Sequence, residues 1–133
     1  MTGGRGHVAG RPGGAYALVN ITKDTLVAGR LVVADRFWRR MVGLLGIRRL
    51  PAGTGLLLTP CNAVHTMFMR YAIDVLFLAG DFTVLKAVAG LKPWRTAACR
   101  GASMVVELPP GTVAQTGTGA GDKLAFRPEP CPD

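Results

Sequence analysis

One segment, residues 61–78, restricts the fold of this chain more than any other. It reads CNAVHTMFMRYAIDVLFL, so a cysteine, a histidine, an arginine and an aspartate interrupt an apolar run (Cys61, His65, Arg70 and Asp74). The run is rich in β-formers and has no stretch of about 18 uninterrupted apolar residues, which predicts strands and not a membrane-spanning helix. A polar group buried without a partner costs roughly 1–3 kcal/mol. We therefore expect each of the four to be paired, and the partner decides its role.

Length and composition predict one globular domain. The chain has 133 residues, of which 49% are hydrophobic and 18% charged, enough to bury a single core. Glycine and proline are concentrated toward the two ends. We expect a disordered, Gly-rich basic tail over residues 1–14, a single β-rich domain over 15–127 and a Pro-rich tail over 128–133.

Short apolar runs separated by turn signals predict seven or eight strands, and hairpin following hairpin favours antiparallel pairing. One helix is expected near residues 36–45, where Asp35 stands at the N-cap position and Phe37 and Met41 begin a helical spacing. Residues 113–116 could form a further helical turn. The predicted fold class is mainly β, a single-domain antiparallel β-sandwich or partly closed, jelly-roll-like barrel with one short helix near residues 36–45.

The net charge of +8 favours anionic partners. An anion or nucleic-acid binder working through the basic helix is one hypothesis, and its residues would be Arg36, Arg39, Arg40, Arg48 and Arg49. Nucleic acid is disfavoured as a partner because the aromatic residues lie in apolar runs and are not interleaved with the arginines. Residues 1–14 contain no apolar signal region, so a cytoplasmic location with reduced cysteines is the default expectation.

Four sequence blocks, in this order, resemble the family known as domain of unknown function 192. They are ADRFWRRMVGLLG at 34–46, HTMFMRYAIDVLF at 65–77, KPWR at 92–95, and VELPPG at 106–111 followed by Gly121-Asp122. The resemblance covers roughly residues 18–127 and implies a compact, mostly β fold of sandwich or jelly-roll type. Members of that family are bacterial and archaeal, and many carry an export or lipoprotein signal, which residues 1–14 do not show. The resemblance implies no activity.

Three residues are candidates for catalysis, namely His65, Asp74 and Glu107. A histidine oriented by a carboxylate can act as a general base, which is the basis of a metal- or His/carboxylate-dependent hydrolase hypothesis, with Cys61 as a nucleophile in one version. The favoured alternative makes His65 a core histidine bonded to the backbone or to a carboxylate. A separate structural interpretation makes Arg70 and Asp74 a salt bridge across a hairpin.

Three other residues are candidates for ligand binding, namely Arg70, Trp94 and Arg95. Arginine grips anionic groups, and a loop tryptophan between basic residues can stack on a ligand. A zinc site made of Cys61, His65 and Cys99 would lack the close cysteine pairs of structural zinc sites, so we predict no metal and no cofactor. The favoured hypothesis is a non-catalytic β module that binds a small ligand or a protein partner, without a membrane span.

Overall fold

The computed structural model describes residues 16–34, 50–67 and 69–128, which form nine strands and one short helix. The helix predicted near residues 36–45 and almost all of the two predicted tails lie outside these ranges. No helix within them is long and apolar enough to cross a membrane. In chain order the elements are β1 (Tyr16–Asn20), β2 (Thr25–Ala34), β3 (Thr54–Leu58), β4 (Ala63–His65), β5 (Ile73–Leu78), β6 (Val84–Leu91), β7 (Thr96–Ala98), β8 (Met104–Leu108), α1 (Thr112–Thr116) and β9 (Leu124–Pro128).

Seven of the strands form one sheet, in the order β6-β5-β8-β3-β2-β1-β9, while β4 and β7 form a separate two-stranded ribbon. The large sheet curls until its two edge strands approach each other at one end. There Thr83 and Lys123 form an isolated antiparallel bridge, and the Val84 N–H donates to the Asp122 carbonyl at 2.8 Å. The architecture is therefore the mainly β, partly closed barrel that the strand pattern predicted.

One strand pair departs from the predicted antiparallel arrangement. β2 and β3 are parallel, with Val32 opposite Leu56 and Ala34 opposite Leu58. Parallel neighbours need a crossover connection of about a dozen residues or more. Residues 35–53, which include the helix predicted near residues 36–45, provide a connection of that length between the two strands. The remaining strand pairs are antiparallel.

Alternate residues of the central strands supply two apolar clusters on opposite faces of the sheet. The first lies inside the curl and includes Leu57, Leu76, Val106 and Leu124. The second lies on the outer face and includes Leu56, Val75, Val105 and, from β4, Val64. Every residue of β5 is buried, because this strand has apolar cover on both faces. The ribbon therefore lies over the outer face and buries one of its own faces there.

Candidate binding site

A groove opens at the end of the sheet where β8 ends and β5 begins. Pro109 and Pro110 end β8, because proline has no N–H with which to continue the pairing. The turn before β5 and the segment before β3 form the other walls. The groove has a volume of about 690 Å³, which suits a small organic ligand. It is lined by Leu50, Pro51, Ala52, Met69, Arg70, Tyr71, Ala72, Ile73, Pro109 and Pro110.

Among the described residues that line this groove, Arg70 supplies the charged side chain, and the others are apolar except for the Tyr71 hydroxyl. The side chain is exposed, and no carboxylate of the described residues lies within 4.0 Å of its guanidinium. The salt bridge with Asp74 suggested by the sequence is therefore not formed. An arginine so placed can bind a carboxylate or another anion through two parallel hydrogen bonds.

Asp74 is fully buried and is bonded to the backbone instead. One carboxylate oxygen, Oδ1, accepts from the Gly90 N–H at 2.8 Å. The other, Oδ2, accepts from the Gly111 N–H at 3.1 Å and the Val113 N–H at 2.8 Å. The carboxylate thus ties β5 to β6 and to the start of α1, from inside the curl. With both oxygens occupied and no exposed surface, Asp74 cannot act on a ligand in solvent.

His65 lies at the end of β4 and is exposed. Its neighbours Val64 and Thr66 point to the buried face of the ribbon, so the imidazole points away from the core. The favoured interpretation of His65 as a core histidine is therefore wrong. Asp74 belongs to the inner face of the sheet, and the ribbon covers the outer face, so the ribbon and the sheet separate His65 from Asp74.

Thr66, which sequence reasoning did not single out, is the residue that positions the loop carrying Trp94. It is fully buried, and its hydroxyl donates to the Lys92 carbonyl at 2.6 Å while accepting from the Arg95 N–H at 2.8 Å. Its backbone N–H donates to the Arg95 carbonyl at 2.8 Å, and its carbonyl accepts from the Trp94 N–H at 3.0 Å. The available signal was a threonine on the face of the chain opposite His65, because a hydroxyl buried there has to find partners.

Trp94 and Arg95 are both exposed, with 57% of the Trp94 surface accessible. Trp94 has φ of +64°, in the left-handed region that bulky residues rarely adopt. The hydrogen bonds to Thr66 hold this conformation in place. Strained residues of this kind cluster at functional sites, where the surrounding structure fixes an otherwise unfavourable geometry.

Glu107, the third catalytic candidate, is half-buried on β8. It stands opposite Leu56 and Val75, so its side chain belongs to the outer face of the sheet. His65 projects from the solvent side of the ribbon, and Asp74 belongs to the inner face. The three candidates thus occupy three different surfaces, and no general acid–base arrangement follows from them.

A second polar cluster lies where the edge strands β6 and β9 meet. The sequence predicted only its turn, at Gly119–Asp122. The Asp122 Oδ2 atom accepts from Asn20 Nδ2 at 2.9 Å, Lys23 Nζ at 3.0 Å and the Gly119 N–H at 3.0 Å. The bond from Asn20, then those from Gly119 and Lys23, hold the pKa of the Asp122 carboxyl below its ordinary value of 3.8. Asn20 is 1% exposed and Asp122 5%. This cluster closes the barrel end and presents no open site.

Cys61 and Cys99 are not joined in a disulfide, as expected, and each is half-buried beside the outer apolar cluster. The Cys99 N–H donates to the Asn62 carbonyl at 3.0 Å, which extends the pairing of β4 with β7 by one residue. Among the described residues, no three histidine, cysteine or carboxylate side chains are grouped so that they could hold a metal ion. The zinc grouping of the two cysteines with His65 is therefore not formed.

Comparison with known proteins identifies related chains of similar length. The sequence model of DUF192, described as an uncharacterized ACR, matches residues 18–126. A UPF0127 protein of Pyrococcus furiosus is 34% identical over 115 residues, covering 82% of this chain and 97% of that protein. A UPF0127 protein of Pyrococcus horikoshii is 34% identical over 113 residues, with 82% and 97% covered.

Two solved structures share the fold. A Novosphingobium aromaticivorans protein of unknown function superposes with a TM-score of 0.68 at 19% identity, covering 84% of this chain and 83% of that one. A Sinorhizobium meliloti protein, described as a candidate transcription regulator, gives 0.66 at 23% identity, with 85% and 92% covered. The fold thus defines a small, partly closed β-barrel carrying an outer ribbon. The chain belongs to the DUF192 family, which confirms the resemblance seen in its sequence.

Proposed function

We propose that this protein is a non-catalytic binding module whose groove takes a small amphipathic anion, a carboxylate with an aliphatic body. The observation that supports this most strongly is the exposed Arg70 guanidinium in a groove whose other described lining residues are apolar apart from the Tyr71 hydroxyl. An aliphatic chain would remove water from the walls, which include Leu50, Met69 and Ile73, at about 25 cal/mol for each Å² of apolar surface buried. The carboxylate would then meet Arg70.

The loop that carries Trp94 stands beside this groove. The Trp94 N–H and the Met69 N–H both donate to the Thr66 carbonyl, at 3.0 and 3.1 Å, and Met69 is part of the groove wall. A ligand longer than the groove would therefore extend toward the indole. This adjacency joins Arg70 and Trp94, two of the three candidate ligand-binding residues, into one surface.

A binding role is favoured over a hydrolase because of the positions of the three catalytic candidates. Asp74 has both oxygens occupied by backbone N–H groups, and it lies on the opposite side of the sheet from His65. As a general base, His65 would need its orienting carboxylate or the reacting group within hydrogen-bond reach. The groove, in contrast, needs only shape, apolar walls and one cation.

The test is a calorimetric and NMR titration with octanoate, compared with octanol and acetate. We expect octanoate to bind best, because octanol lacks the charge and acetate lacks the chain. Its addition should shift the signals of Met69, Ala72 and Ile73. Arg70→Gln should lower octanoate affinity about tenfold or more, the effect of losing a charge-assisted pair.

The matched control is Arg100→Gln. Arg100 is also exposed but lies in the turn before β8, at the opposite end of that strand from Pro109. Its loss should leave octanoate binding unchanged. Equal binding of octanol and octanoate, or equal weakening by Arg70→Gln and Arg100→Gln, would contradict the proposal. The first result would remove the role of the charge, and the second would indicate only a diffuse basic surface.

A further inference from the structure

The outer face of the β4–β7 ribbon has a composition that the groove does not explain. Along residues 63–67 exposure alternates strictly, so that Ala63, His65 and Met67 face solvent while Val64 and Thr66 are buried. An imidazole and a thioether therefore stand two residues apart on one side of the chain. Met67 is 45% exposed, although methionine usually packs inside.

Trp94 lies at the end of the ribbon, across from the segment that carries His65 and Met67. Ala63 lies opposite Ala98, and His65 opposite Thr96. The pairing continues past the strand, because the Thr66 N–H donates to the Arg95 carbonyl at 2.8 Å. The regular register ends there, because the Thr66 carbonyl accepts from the Trp94 N–H at 3.0 Å, so the half-exposed Trp94 lies across from Thr66, the residue between His65 and Met67.

This surface is held rigidly, which lowers the cost of binding. Thr66, between the two candidate ligands, makes hydrogen bonds with its N–H, its carbonyl and its hydroxyl to the segment 92–95. The backbone on either side of it is therefore fixed by the same residue. Small residues, Ala63 and Ala98, flank the cluster on its other side and leave it open.

The ligand atoms on this face are soft. A thioether does not bind hard ions such as Mg²⁺ or Ca²⁺, whereas imidazole and thioether together suit Cu(I). Residues 61–67 and 92–100 contain no acidic side chain and include Lys92, Arg95 and Arg100, which disfavours a divalent cation more than a monovalent one. The face of a tryptophan attracts a cation placed over it.

We propose that His65 and Met67 form a binding site for Cu(I) on the outer face of the ribbon, with the Trp94 indole beside the ion. Neutral imidazole nitrogen and thioether sulfur are the two ligands, and no electron transfer is involved. Neither ligand, His65 or Met67, lines the groove, although Trp94 stands beside both places. It assigns a role to His65, which the core and hydrolase interpretations left without a partner.

The probe is Ag(I), which shares the soft, monovalent character of Cu(I) and does not change oxidation state, followed by Cu(I) under anaerobic conditions. In NMR spectra of the full chain, one equivalent should shift the Met67 methyl and the His65 ring signals together and quench Trp94 fluorescence. Because thiolates also bind these ions tightly, the titration is repeated with Cys61, Cys99 and Cys131 all changed to serine. The Met67 and His65 shifts should persist there. Zn²⁺ should shift neither signal.

Each of Met67→Leu and His65→Gln should weaken Ag(I) binding at least tenfold in the serine background, and the double variant should abolish it. Met104→Leu is the matched control, because Met104 lies in the inner cluster and cannot reach the ion; it should have no effect. If the serine chain does not fold, the Met67 and His65 signals of the parent chain report the same site directly. Shifts confined to the cysteines, to Met1 or to His7, or undiminished binding in the double variant, would overturn the proposal.

Discussion

Two aspartates of this protein are placed in the opposite way from its candidate binding residues. Asp74 and Asp122 are 0% and 5% exposed, and each accepts three hydrogen bonds from groups that lie far away in the sequence or across a turn. Arg70, His65 and Trp94 are exposed, on a groove wall or on the solvent face of the ribbon. The comparison teaches that burial with complete hydrogen bonding marks a structural carboxylate, while the residues we propose for binding are exposed cations and soft groups.

The two aspartates also differ from each other in how they use their oxygens. At Asp122 all three donors converge on Oδ2, whereas at Asp74 the donors are divided between Oδ1 and Oδ2. An asparagine has one acceptor oxygen and a donating NH₂ group. At Asp122 an asparagine can place its oxygen where all three donors meet. At Asp74 it must point its NH₂ at a backbone N–H. The same substitution therefore separates the two sites.

The largest effect is expected for Asp74→Asn. Whichever way the amide turns, at least one of the Gly90, Gly111 and Val113 N–H groups faces another donor in a buried position. We expect the free energy of unfolding to fall by about 3–5 kcal/mol, from unsatisfied buried donors at roughly 1–3 kcal/mol each. Urea denaturation measures it through the midpoint at constant slope. A loss below about 1 kcal/mol would show that the Asp74 bonds are weak.

Asp122→Asn should cost less, about 1–2 kcal/mol at neutral pH, because the shape is kept and only the charge on the acceptor is lost. It should also change the pH dependence. Since hydrogen bonds from Asn20 and others lower the folded-state pKa of Asp122 from 3.8, its stabilisation is complete above that value. It is lost as pH falls through the lowered pKa. Parent and variant should converge in stability as acid is added, and a constant difference down to pH 2 would contradict this.

A smaller effect tests the strained loop. Trp94→Gly and Trp94→Ala both remove the indole, but only glycine adopts φ of +64° without steric cost. We expect the glycine variant to be the more stable by about 0.5–1 kcal/mol, after allowing for the greater freedom of glycine in the unfolded chain. Thermal unfolding of the two proteins side by side gives the difference. If the alanine variant is the more stable one, Trp94 does not have a left-handed backbone conformation.

Sequence patterns were sufficient for the local structure of this fold. Alternation and turn residues predicted the strands around residues 73–78 and 103–108, the turn ending at Asp122, and a helical turn near residues 113–116. The parallel pairing of β2 with β3 was not predicted, because strand direction depends on the connection between the strands and not on the strands themselves. The exposure of His65 was missed because the β4–β7 ribbon has only one buried face.

The candidate sites were less predictable than the fold. Arg70 and Trp94 could be selected from the sequence as candidates, since charge and aromatic character in loops are visible there, and both side chains are exposed in the structure. The partners of Asp74 were not predictable, because they are backbone N–H groups 16, 37 and 39 residues away. Backbone donors leave no mark on residue identity. Pairing with Arg70, the nearby charge, was therefore the natural but incorrect assignment.

The most direct test of the division between structural acids and exposed binding residues is to measure stability and octanoate binding together in Arg70→Gln. The account predicts a free energy of unfolding within about 0.5 kcal/mol of the parent, as for other exposed surface substitutions, with octanoate affinity reduced at least tenfold. Arg70→Gln with unchanged octanoate binding and a stability loss of about 2 kcal/mol or more would contradict it. Arg70 would then be a structural residue, and the groove would lose its proposed ligand.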